Sequence, residues 1–119
     1  MGKSYRKVAK DALNKAYERE LSNELNNLYQ AFKLWDHNEI DSWELSDRIH
    51  RFHDGPSKDL FKFYNHVDKK VALAKALSTG VLKKDEVPYE LQESMQPLIH
   101  FFRDELNSSH DDDSERENR

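Results

Sequence analysis

The sequence predicts an all-α protein: a compact bundle of about five helices, with a long N-terminal helix and a disordered C-terminal tail. Three observations carry that expectation. Apolar residues recur at spacings of three and four, no segment alternates apolar with polar, and Gly or Pro stands where the periodic runs stop. A chain of 119 residues is one domain's worth. At that length folding buries roughly two-thirds of the surface that the unfolded chain exposes. A hydrophobic share of 36% against 35% charged residues fits thin helical packing with charged outer faces.

The first helix is expected over about residues 4–36. Leu13, Tyr17, Leu21, Leu25, Leu28, Phe32 and Trp35 keep to one face, whereas Tyr5, Val8 and Ala12 do not continue that stripe. Residues 1–10 are therefore expected either to fray or to serve a separate purpose. The second helix begins at Asp41 or Ser42, where Asp41 and Glu44 read as a reciprocal capping box, and it ends at Gly55 and Pro56. A short third helix, about 57–65, carries Leu60, Phe63 and Tyr64. The fourth, from about Asp68 to Thr79, holds the run Val71 to Leu77, apolar almost all round and so expected in the core, with Gly80 as its left-handed stop. The fifth runs from about Pro88 to Leu106, with Leu91, Met95, Leu98, Ile99, Phe102 and Leu106 as its stripe, and Pro97 is expected to kink or split it. The helical domain thus spans 1–106, and an acidic tail without apolar residues covers 107–119.

Composition narrows function. No cysteine is present, which removes disulfides, thiolate catalysis and Cys-bound zinc. No apolar run reaches the length of a membrane span and the N-terminus has no signal-peptide pattern, so the expectation is a soluble cytoplasmic protein with no membrane partner. Lys3, Arg6, Lys7 and Lys10 make the first turns basic, while Asp111, Asp112, Asp113, Glu115 and Glu117 make the tail acidic. With a net charge of −4 there is no global basic patch, and nucleic acid is not the expected partner. Ser42, Ser46, Ser57 and Ser78 lack a nucleophile-elbow context, and three glycines cannot build a phosphate-cradling loop.

Chemistry-bearing residues gather in the second helix. At 100° per residue, Leu45, Ile49 and Phe52 point inward, while Trp43, Asp47, His50 and Asp54 share the opposite side and His53 stands at the border. Phe61 and Phe101 also lie off the apolar faces of their helices; either packing on two sides of the second and fourth helices buries these aromatics with Trp43, or they stay outside the core and serve as interface anchors. One reading makes Trp43, Asp47, His50, Asp54 and Phe61 a protein-binding face. The alternative makes His50, His53 and Asp54 ligands of a divalent metal in a hydrolase, with Asp47 or Glu44 as general base. The bland reading of the same residues is favourable histidine placement at a helix C-terminus and an ordinary Asp47–Arg51 surface pair.

The pair His53-Asp54 resembles the paired residues of the HD phosphohydrolases, an all-helical family of metal enzymes, over those two residues alone, and no activity is carried over from it. A wider resemblance covers Trp35 to about Glu105. Ile49-His50-x-Phe52-His53-Asp54-Gly55, Val71-Ala72-x-Ala74 and Glu86-Val87-Pro88 resemble segments of small uncharacterised bacterial helical proteins. That resemblance implies an all-α fold and a bacterial origin and brings no activity. The functional expectation is a small interaction or regulatory module that binds another protein without catalysis or cofactor, with the metal-dependent hydrolase as the alternative.

Overall fold

Alanine rather than leucine sets the inner edge of the first helix. In α1 (Lys3–Asp36), Ala9, Ala12, Leu13, Ala16 and Ala31 are buried, whereas Leu25, Phe32 and Trp35 of the expected stripe remain exposed. A small side chain lets a neighbouring backbone come close, so burial falls on residues that add little to a hydrophobic periodicity. The computed structural model describes residues 3–117, with side chains from residue 5 to residue 107. The acidic residues expected to form the tail, Asp111 to Glu117, fall outside the described side chains. Among the described residues every regular element is helical.

The chain divides into two packed units, Met1–Leu13 with Asp68–Arg119 and Asn14–Val67. The first contains α4 (Lys69–Thr79), a 3-10 turn (Lys84–Glu86), α5 (Tyr89–Ser94) and α6 (Gln96–Glu117). Asp68 caps α4 by accepting from the Lys70 N–H at 3.1 Å, and Gly80 ends it at φ 83°, where a side chain would be strained. Ala72, Leu73, Ala74, Ala76 and Leu77 are buried, as the apolar run predicts. Leu82, Val87, Leu91, Met95 and Ile99 complete this core. The expected fifth helix is split in two. Pro97 falls in the first turn of α6, where its missing N–H is one of the donors a helix start leaves unpaired. The stripe also ends a turn early, since Leu106 is exposed.

The second unit is an antiparallel helical hairpin. α1 ends in a Schellman turn: Asn38 takes φ 59°, its N–H donates to Trp35 O at 3.1 Å, and Glu39 N–H donates to Leu34 O at 2.8 Å. Asp41 then caps α2 (Ser42–Phe52) by accepting from Glu44 N–H at 2.8 Å. The expected reciprocal half of the capping box is replaced, because the Glu44 carboxylate is taken by Arg48 at 2.9 Å.

Gly55 and Pro56 do not end the helix. His53–Ser57 form a π turn that carries the chain into α3 (Lys58–His66), and Gly55 keeps a right-handed backbone. In a regular α-helix the Pro56 ring would strike the Phe52 carbonyl, and a widened turn gives that ring room. From Ser42 to His66 the path is therefore continuous, and with α1, α4, α5 and α6 it makes five helices among the described residues, with breaks that differ from those expected.

Candidate functional site

The outer face of α2 is built from its first turn. The Trp35 indole N–H donates to Ser42 Oγ at 3.0 Å, which ties the start of α2 to the end of α1. From that start, Trp43, Asp47 and His50 recur at spacings of four and three. Together with Ser42 and Ser46 they line one shallow depression. Trp43 is 87% exposed, and among the described residues nothing hydrogen-bonds its indole or stacks on its ring. Asp47 accepts from Arg51 at 2.7 Å, while Arg48 and Arg51 meet Glu44 at 2.9 and 3.6 Å. The depression thus combines a bare indole, a carboxylate already balanced by arginine, an imidazole and two hydroxyls. Groups of these kinds are capable of apolar burial, stacking and directed hydrogen bonds.

Two of the five residues assigned to this face lie outside the depression. Asp54 is exposed within the π turn, and Phe61 is 53% exposed on α3, edge-on to His66 with ring centroids 6.2 Å apart. The helical wheel holds only as far as Phe52. Beyond it the π turn takes in one residue more than an α turn, and the 100° advance used to place Asp54 no longer applies. The same change affects the proposed metal set. His50, His53 and Asp54 are each exposed, and among the described residues no three His, Asp or Glu side chains converge as ligands for one ion. The inward face shifts as well. Leu45 is buried and Phe52 half-buried, but Ile49 is exposed, and Arg48 lies against the hairpin groove instead.

Two features of the hairpin escaped the sequence. One is a groove lined by Leu28 and Ala31 of α1 and by Arg48, Arg51, Phe52 and Pro56 of the second strand of the hairpin. The other is Tyr64, whose ring stacks on Tyr17 at 5.1 Å and 11° and whose hydroxyl donates to the Glu20 carboxylate. Burial, followed by the hydrogen bond and negative charge of Glu20, holds this phenol well above its ordinary range, so it stays neutral. No short motif announces that contact, since Glu20 and Tyr64 meet only when the hairpin closes.

The hydroxyls offer no activated nucleophile where their bonds are seen. Ser78 and Thr79 donate to Lys75 O at 2.8 and 3.0 Å, and Ser94 donates to Leu91 O at 2.7 Å. In the first unit these two α4 residues line, with Phe101, Phe102 and Leu106, an apolar groove between α4 and α6. Among the described residues no helix is long and apolar enough to cross a membrane. No protein-family model matches the chain, and searches of curated proteins and of solved structures return no match.

Proposed function

We propose that this chain is a small cytoplasmic interaction or regulatory module that binds another protein through the outer face of α2, without catalysis. The observation that supports the reading is Trp43, an indole left almost wholly in water on a well-capped helix. Burying a large apolar side chain is worth about 1.5–3 kcal/mol, and tryptophan is among the residues enriched at the centres of binding surfaces. Asp47 and His50 flank it in the same depression and add direction to an otherwise apolar contact. The partner that fits is a protein with an apolar pocket for the indole and hydrogen-bonding groups at its rim.

The test is photo-crosslinking in the native host from a reactive residue placed at exposed Ser46. The expected result is a discrete adduct whose yield drops by about tenfold or more when Trp43→Ala is added, as loss of an anchoring residue requires. The same substitution should leave folding stability within about 0.5 kcal/mol, because an exposed side chain with no partner contributes little to the fold. An adduct of equal yield with and without Trp43 sinks the proposal, as does the absence of any adduct.

A further inference from the structure

The outer stripe of α1 is largely exposed and complementary to itself. Leu21, Leu25, Leu28, Tyr29 and Phe32 fall within about 100° of helical arc, and Leu28, at one border of that arc, also lines the hairpin groove. Leu21 and Leu28 are half-buried, but Leu25 is 47%, Tyr29 56% and Phe32 40% exposed, a concentration of large apolar surface over about three turns. The spacing of four and three through Leu21, Leu25, Leu28 and Phe32 is that of a helix seam that packs against another helix.

Charge decides what covers it. Along the exposed edge of the stripe stand Lys15, Glu18, Ser22, Tyr29, Lys33 and Asp36. The pairs Lys15 with Asp36, Glu18 with Lys33, and Ser22 with Tyr29 all share one midpoint, between Leu25 and Asn26. The apolar pairs Leu21 with Phe32 and Leu25 with Leu28 share a midpoint one residue further on, a displacement of about 1.5 Å. When two antiparallel helices pack around a two-fold axis, each edge meets itself in reverse. An axis at that point sets every positive edge group opposite a negative one and large apolar groups opposite one another. Four of the edge groups already meet one another within the chain, and Lys15 is engaged as well: Lys33 Nζ lies 4.7 Å from the Tyr29 ring centroid, and Ser22 Oγ donates to Glu18 at 3.1 Å.

The geometry points to a second copy of this chain as the partner of this face, with the two α1 helices antiparallel and crossing near Leu25 to Leu28. This surface is separate from the α2 depression, so the two proposals fail independently. The exposed seam is smaller than a standard interface, and the dimer forms by a concentration-dependent equilibrium.

Sedimentation equilibrium of the full chain between about 10 µM and 1 mM is the experiment. A monomer–dimer equilibrium is expected, weakened by about tenfold or more in Leu25→Asp, with circular dichroism at monomeric concentration separating lost pairing from lost fold. Asp36→Lys alone should weaken it about fivefold at low salt, and adding Lys15→Asp should restore it, which no loss of folding would do. Because the chain has no cysteine, single spin labels at Asn26→Cys and Asn14→Cys report orientation. The antiparallel dimer puts the backbones about 10 Å apart at position 26 and about 35 Å apart at position 14. A chain that stays monomeric at every concentration overturns the inference. So does a dimer indifferent to Leu25→Asp, or one with short distances at both labels.

Discussion

The two packed units bury their apolar residues to different depths, although the first also exposes Tyr89, Phe101 and Leu106. The unit formed by Met1–Leu13 and Asp68–Arg119 buries Leu73, Leu82 and Met95 completely and surrounds them with alanines and branched residues. The hairpin Asn14–Val67 fully buries only Ala16, Ala31 and Leu45 among its hydrophobic residues, and exposes Leu25, Tyr29, Phe32, Trp35, Trp43, Ile49 and Phe61. One unit therefore holds the completely enclosed side chains, and the other holds more of the exposed apolar ones.

The sharpest way to break that contrast is to cut into the buried unit. Leu73→Ala should cost about 2–5 kcal/mol, because the side chain is fully enclosed and its truncation leaves a cavity. Urea unfolding measures it, and a loss below about 1 kcal/mol would mean that this unit is not the stable one.

A smaller effect is expected inside the hairpin. Tyr64→Phe removes the hydrogen bond to the Glu20 carboxylate and should cost about 1.5 kcal/mol near neutral pH. That cost depends on pH in a defined direction. The folded state holds the phenol proton more tightly than the unfolded state does, so the contribution is intact below about pH 10 and is lost as pH rises above it. Thermal melts from about pH 8 to 11 should show the wild type falling faster than the variant, and parallel curves would remove Glu20 from the account.

The smallest of the three is Asp41→Ala. Losing the cap on Glu44 N–H should cost about 1 kcal/mol and fray the first turn of α2, which carries Trp43. Amide exchange at Trp43 and Glu44 reports it directly. Unchanged protection would show that the Trp35–Ser42 bond alone holds that turn.

What the sequence disclosed follows from rules that act within a few residues. The buried run of α4, the left-handed stop at Gly80, the break before Pro97 and the exposure of Trp43, Phe61 and Phe101 all rest on local periodicity or on one residue's backbone limits. What stayed hidden depends on distant partners or on residues with weak signals. Ala9, Ala12, Ala16 and Ala31 carry the inner edge of α1, yet alanine barely registers in an apolar stripe. Asn38 ends α1 in a conformation that glycine would have advertised. Half of the candidate site was legible for the same reason. Trp43, Asp47 and His50 lie on regular helix, whereas the placement of His53 and Asp54 assumed a regular turn where Pro56 forbids one.

That turn sets the timing of the whole second strand of the hairpin. A helix keeps time by adding about 100° at each residue, and any rod built without interruption must hold the same beat from end to end. The π turn adds one beat and then lets the rhythm resume. Residues on α2 and α3 are thereby freed from a common phase: α2 can show Trp43 to the solvent while α3 returns Tyr64 to Glu20 and Tyr17. A single unbroken path thus serves two schedules, one for the solvent-facing side of α2 and one for closing the hairpin.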